Sequence, residues 1–289
     1  MKVGFVSIFG KPNAGKSTLL NALMDEKLAI VSHKAQTTRH RIKGILNGPD
    51  YQIVFSDTPG LLEPKYLLQE KMMKVVSEAR EDADLALLVI DVQDDLASVL
   101  ELFKPLRLKC PCIAVLTKID QTKAGLVAER VDYLKQQGSC KGVVAVSALK
   151  KQGMEKLLET ILGLLPEGDP YFDTQDLTDL PTKFFVGELS REKIFELFQE
   201  EIPYNTTVIV REFQEKNTLV KISADIIVQR ESQKGILLGE GGRMIRQLGT
   251  LSREEIEKFI GRKVFLELLV KVQPKWRDSD RLLKEFGYL

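Results

Sequence analysis

Nine residues near the amino terminus constrain this chain more than any others: Gly10, Lys11, Pro12, Asn13, Ala14, Gly15, Lys16, Ser17 and Thr18. They fit the phosphate-loop pattern of a glycine, four residues, then Gly-Lys-Ser/Thr. Such a loop needs a strand before it and a helix after it. The flanks comply, with an apolar run of strand character over 3–9 and a helical pattern over 16–25. Glycines at 10 and 15 let the backbone curl until successive N–H groups face phosphate oxygens. The helix N-terminus adds its partial positive charge. Lys16 is expected to reach the β- and γ-phosphates, and Ser17 to offer its hydroxyl to Mg2+. The alternative, a glycine-rich turn without a ligand, does not account for the strand–loop–helix context. The pattern implies a nucleotide-binding domain.

The rest of the first half repeats that rhythm. Strand-like runs at 3–9, 51–56, 84–91, 112–117 and 142–147 alternate with helical patterns at 16–25, 66–80, 95–109, 124–137 and 151–165. The alternation predicts an α/β fold with a mostly parallel sheet covered on both faces. Ligands of such sheets bind at the carboxyl ends of the strands. Two prolines in the stretch 166–170 break the rhythm, and an acidic, aperiodic segment follows. The expected division is a nucleotide domain over 1–168, a linker over 169–180 and a smaller α+β domain over 181–289. In the last, the order is helix 183–200, strands 205–213 and 218–229, helices 233–238 and 243–260, strand 263–272 and a terminal helix 279–286.

The strand-end motifs specify which nucleotide. Asp57, Thr58, Pro59 and Gly60 close the strand 51–56. A carboxylate at Asp57 can hold Mg2+ through water, and the Gly60 N–H can approach the γ-phosphate. Thr117, Lys118 and Asp120 close another buried strand. Asp120 can accept two hydrogen bonds from guanine, from N1–H and the exocyclic amine, whereas adenine offers no such pair of donors. A site built for that contact rejects the wrong base, because its carboxylate would be desolvated and unpaired. Lys118 can lie along the base, and the segment Ser147, Ala148, Leu149 can give a backbone N–H to the guanine oxygen. Between these boxes runs Gln36-Thr-Thr-Arg-His40. A threonine there, Thr38 rather than Thr37, can complete the Mg2+ shell when the γ-phosphate is present, which makes this a switch loop. Lys34, Arg39, His40, Arg41 and Lys43 around it form either a solvated basic loop or an RNA-facing one. Leu61 stands where many regulatory GTPases carry a glutamine that orients the attacking water. Lys16, Thr38 and Gly60 are left to act on the γ-phosphate, and hydrolysis of GTP to GDP is expected to be slow.

Composition adds exclusions. The formal net charge of +1 over 289 residues shows no basic excess of the kind that announces a nucleic-acid binder, so an RNA case must rest on local residues. Three cysteines, Cys110, Cys112 and Cys140, do not suit a disulfide frame or a zinc site. No apolar run approaches the length of a spanning helix, and a cytoplasmic monomer is expected.

In the second domain Gly239, Glu240, Gly241 and Gly242 form a Gly-x-x-Gly turn between two helical segments. In KH modules such a turn clamps the backbone of about four nucleotides. Arg243 and Arg246 lie one helical turn apart, and Lys234 is near; Glu240 dampens the local positive potential. The helix-strand-strand-helix-helix-strand order agrees with a type II KH fold.

Five boxes in this order, Pro-Asn inside the phosphate loop, Gln-Thr-Thr-Arg-His in the switch, and the closing Trp276…Phe286-Gly-Tyr288 resemble the Era family of bacterial GTPases over nearly the whole chain. The resemblance implies an N-terminal P-loop GTPase domain and a C-terminal type II KH domain. It further implies binding to the 3′ end of 16S ribosomal RNA, with the small (30S) ribosomal subunit as the larger partner and a role in its assembly. Peripheral contact with the cytoplasmic face of the inner membrane is implied by the family and by nothing in the residues. Related GTPases with Pro-Asn in this loop bind potassium, which makes Asn13 a potential K+ ligand; a local turn bond is the alternative. Thr117 stands where the family commonly has asparagine, Ala14 replaces a frequent valine, and Leu269 a frequent tryptophan. These departures raise the expectation of weaker nucleotide binding at 117 and altered strand packing at 269. Two other readings stay open on the sequence: an RNA-binding module that holds GTP without turnover, and a GTPase acting on another RNA such as tRNA.

Overall fold

Strands whose residues are apolar on both faces have to lie between two helical layers. In the computed structural model, which describes residues 1–288, the runs 85–91 and 112–117 occupy that position. The chain divides into two units, residues 1–64 with 69–179, and 65–68 with 180–289.

The first unit contains β1 (Lys2–Gly10), α1 (Lys16–Met24), β2 (Ile42–Gly48), β3 (Tyr51–Asp57), α2 (Leu67–Glu81), β4 (Leu85–Asp91), α3 (Leu96–Phe103), β5 (Cys112–Thr117), α4 (Ala124–Gln136), β6 (Gly142–Ala145) and α5 (Met154–Leu164). The sheet order is β2-β3-β1-β4-β5-β6. Every pair is parallel except β2 with β3. One core cluster joins Phe9 of β1, Val76 and Ala79 of α2, Leu88 and Ile90 of β4 and Val99 of α3. The phosphate loop leaves β1, Asp57 ends β3, Asp91 ends β4 and Thr117 ends β5. The sheet therefore delivers all of its motifs to one rim.

Strand β2 is absent from the sequence-based expectation, which assigns no element to residues 42–48. Its glycines and Lys43 obscure the strand pattern. A tight Gly48↔Tyr51 hairpin pairs it to β3, and Gly44 fits because a Cβ there would meet Met24 of α1 at 2.9 Å. Helix α3 stops at Phe103 instead of 109, since Pro105 enters a 3-10 turn and Arg107 takes φ 44°. The expected linker is also not extended into solvent along its length. Gln52 Oε1 accepts from the N–H groups of Tyr171 (2.7 Å) and Phe172 (3.0 Å), and Leu177 O accepts from Ile45 N at 2.9 Å. Leu177 thus satisfies a backbone N–H that the edge strand β2 would otherwise leave bare, and the Gln52 side chain of β3 anchors the start of the segment.

The second unit contains α6 (Thr182–Leu197), β7 (Thr207–Glu215), β8 (Val220–Val228), α7 (Glu231–Leu238), α8 (Arg243–Ile260), β9 (Val264–Val272) and α9 (Asp280–Glu285). Its sheet is β7-β8-β9, antiparallel then parallel. On α8, Leu248, Ser252 and Ile256 recur at four-residue intervals and are fully buried. Strand β9 alternates: Leu266, Leu268 and Val270 pack inward, while Phe265 and Leu269 face outward. Leu269 is 47% exposed. A leucine there changes the surface and not the packing of the strand, contrary to the expectation. Buried Trp276 donates from Nε1 to Asn205 O at 2.9 Å and stacks on Tyr288.

Candidate functional site

Two features build the phosphate end. Gly10 must lack a side chain, since a Cβ there would lie 2.5 Å from Val89 O. Asn13 and Gly15 take left-handed φ values of 64° and 92°, which fold the loop onto the start of α1. Lys16, buried, donates from Nζ to Lys11 O at 2.8 Å and Gly10 O at 3.2 Å. Burial lowers its pKa to about 8, opposed by the nearby Asp57 carboxylate.

Three oxygens converge beside it. Ser17 Oγ donates to Asp57 Oδ2 at 2.6 Å and lies 2.9 Å from Thr38 Oγ1, which is itself 3.3 Å from Asp57 Oδ2. Asp57 is fully buried, and that burial pushes its carboxyl above the usual range against the pull of Lys16. Its second oxygen, Oδ1, has no hydrogen-bond partner. An orphaned buried carboxylate oxygen with two hydroxyls at hand is an all-oxygen donor set of the kind a hard cation such as Mg2+ takes. Thr37 is turned away, its hydroxyl donating to Lys34 O at 2.6 Å. Thr38, and not Thr37, is the threonine whose hydroxyl lies beside Ser17 and Asp57.

The turn after β3 closes over the phosphate loop. A Cβ on Gly60 would stand 2.6 Å from Pro12 N, so only glycine permits the approach. Thr58 Oγ1 donates to Ile8 O at 2.6 Å, and Leu61 N donates to Gly10 O at 3.0 Å. The Leu61 side chain is 9% exposed and belongs to the cluster of Phe9, Val76 and Leu88. It is a core residue, unable to contact an attacking water.

At the base end, Thr117 Oγ1 lies 2.7 Å from Ala14 O and 3.1 Å from Ile90 O. The hydroxyl thus ties the base segment to the phosphate loop, the task expected of asparagine. Lys118 adopts φ 58°, and Asp120 Oδ1 accepts from Ser147 Oγ at 2.5 Å. The Ser147 N–H is already given to Gln152 O at 3.0 Å, so a backbone donor to the base has to come from Ala148 or Leu149. A cavity of about 610 Å³ is lined by phosphate-loop residues, Thr38, Gly60, Thr117, Lys118, Asp120, Ala148 and Leu149. It joins the two ends. The sequence reading missed Ile30, Val31, Ser32, His33, Gln36 and Gln121 in that lining. Asn13 Nδ2 donates to His33 O at 2.6 Å and so draws that stretch to the loop, a backbone contact that no residue pattern announces. That bond stands in place of the local turn bond that is the alternative reading of Asn13.

The basic switch residues are not a solvated face. Arg39 is 1% exposed, Arg41 pairs with Asp82 at 2.5 Å and Lys43 with Asp179 at 2.7 Å. In the second unit Gly239, Gly241 and Gly242 have φ of 69°, 56° and 75°, a run that residues with side chains resist. Arg246 folds back, donating to Gly241 O (2.8 Å) and Gly242 O (3.2 Å), and so braces the turn. Arg243 and Glu240 are exposed beside it, and Lys234 is half-buried on α7.

Comparison with known proteins agrees with both units. Residues 5–118 match the model of a 50S ribosome-binding GTPase family, and residues 201–277 that of the KH domain. GTPase Era of Geobacter sp. (strain M21) is 46% identical over 288 residues, covering 99% of this chain and 97% of the relative. GTPase Era of Clostridium botulinum (strain Eklund 17B / Type B) is 40% identical over 292 residues, with 99% and 98% coverage. A crystal structure of an Aquifex aeolicus Era variant bound to GDP·AlF4⁻ superposes with TM-score 0.95 at 40% identity, covering 100% of this chain and 99% of that one. A structure of Era with MgGDPNP and nucleotides 1506–1542 of 16S ribosomal RNA gives 0.93, also at 40% identity and the same coverage.

Proposed function

The chain belongs to the Era family of GTPases, and from that premise we propose that it is a slow GTP-hydrolysing switch that binds the 3′ end of 16S ribosomal RNA during small-subunit assembly. One observation carries the nucleotide half: a single cavity is lined at one end by Ser17 and Thr38, whose hydroxyls meet the buried Asp57 carboxylate behind them, and at the other by the Ser147-braced Asp120. The RNA half is supported by the glycine turn at the start of α8 and by the relative that holds nucleotides 1506–1542.

In this reading the loop amides and Lys16 grip the β- and γ-phosphates, and Ser17, Thr38 and Asp57 are the residues that hold Mg2+. The ion, when bound, neutralises charge developing between the β- and γ-oxygens. Gly60 brings its N–H toward the γ-phosphate, while Asp120 reads guanine. Because Leu61 is committed to the core, no side chain from that position orients water, and turnover is slow without help. The Asn13 amide nitrogen is spent on His33 O, which leaves Oδ1 as the atom for a K+ ion beside the β/γ bridge. Among the described residues no helix is long and apolar enough to cross a membrane. A cytoplasmic monomer, with any bilayer contact made peripherally, completes the proposal. The test is to load the protein with GTP, recover and sequence the bound RNA. Enrichment of the 16S 3′ end is expected, and enrichment of tRNA or of no defined sequence refutes the assignment.

A further inference from the structure

Lys118 is the base-site residue with the most freedom to be wrong. A lysine side chain carries about 2 kcal/mol of rotamer entropy, and a residue meant to lie flat beside a purine must first be held in one pose. The structure supplies the hold from outside the cavity. Lys118 Nζ lies 2.6 Å from Asp91 Oδ2, with the two side chains 30% and 18% exposed. Asp91 is itself fixed, since its Oδ1 accepts from Gln93 N at 3.0 Å. The left-handed backbone at Lys118 turns its stem back over the phosphate loop, where Cε is 3.9 Å from the position a Cβ of Gly15 would take.

The two strand ends are fastened at three points. In the β4–β5 register Asp91 stands opposite Thr117. Val92 N donates to Thr117 O at 3.0 Å, Thr117 Oγ1 reaches Ile90 O, and the Asp91–Lys118 pair is the third tie. The first fixes the backbone of the base segment and the second the short Thr117 side chain. The third fixes the long, flexible side chain that is expected to lie along the base.

We propose that Asp91 is a positioning residue for guanine-nucleotide binding, holding Lys118 extended between the base and the phosphate loop before the ligand arrives. No motif marks it in the sequence. The inference rests on the cavity being the guanine-nucleotide site, and measurable binding of fluorescent GDP by the unaltered protein checks that reading first.

The experiment is a cycle of dissociation rates for fluorescent GDP from the full chain. Asp91→Asn keeps an oxygen for the Gln93 N–H and removes only the negative charge that faces the Lys118 ammonium. A partly buried ion pair lost in this way is expected to raise the dissociation rate about fivefold. In a Lys118→Met background the same substitution is expected to change the rate by less than about 1.5-fold. A fivefold rise in both backgrounds would mean that Asp91 acts through the fold and not through Lys118. No rise in the unaltered background would mean that the pair does not prepare the site. Either result overturns the proposal.

Discussion

Restoring glutamine at position 61 is the obvious attempt to make this GTPase faster, and the structure says that it fails. Leu61 is 9% exposed within the cluster of Phe9, Val76 and Leu88, while its N–H is pinned to Gly10 O. If the glutamine keeps the leucine path, burial of about 1.5–3 kcal/mol is lost. An amide without partners then adds about 1–3 kcal/mol. If it swings out toward the nucleotide, the vacated space costs about 3–5 kcal/mol, as for leucine-to-alanine changes in other cores. The first path costs about 2.5–6 kcal/mol and the second about 3–5 kcal/mol, each a large part of a typical domain's 5–15 kcal/mol. With a urea dependence of about 2 kcal/mol per molar, the midpoint falls by about 2 M. Circular dichroism follows the loss, and the single tryptophan, Trp276, reports separately on the second unit. Single-turnover phosphate release at saturating GTP should stay within about threefold of the unaltered rate. A tenfold acceleration with an unchanged urea midpoint would refute the reasoning, because it would place the side chain at 61 in the cavity.

Asp120→Asn preserves an oxygen for Ser147 Oγ but turns a donor toward the donors of guanine; GTP affinity should fall at least about a hundredfold and xanthosine triphosphate should gain, so retained GTP preference in a competition assay would contradict the base-recognition argument. Gly242→Asp would bring its Cβ into ordinary contact with Ile245 at 3.9 Å but sits at φ 75°. It should lower RNA affinity at least about tenfold through charge and phosphate exclusion while unstimulated GTP hydrolysis stays within about twofold; equal loss of both in parallel filter-binding and phosphate-release assays would refute the division of labour. Hydrolysis should run faster in KCl than in NaCl at equal ionic strength, and equal rates would remove K+ from Asn13.

The parts of this molecule that were legible in its sequence are those in which chemistry and backbone geometry demand the same residue. Gly10 and Gly60 are readable from the phosphate-loop and Asp-x-x-Gly patterns, and both prove to be places where a Cβ would strike backbone within 2.6 Å. Strand β2 was not legible, because its pattern carries two glycines and its strand character comes from pairing with β3 and packing on α1. The basic run after the switch failed for a related reason. Composition records charge, but Asp82 and Asp179, which neutralise Arg41 and Lys43, lie far along the chain. Thr117 shows the converse. A sequence departure that threatened the site is absorbed, since a hydroxyl reaches Ala14 O at 2.7 Å where an amide was expected. What the position needs is a donor to the phosphate loop, and a threonine on the last residue of β5 is long enough to be one. The base site should therefore tolerate Thr117→Asn and lose affinity with Thr117→Val, which keeps the shape and removes the donor.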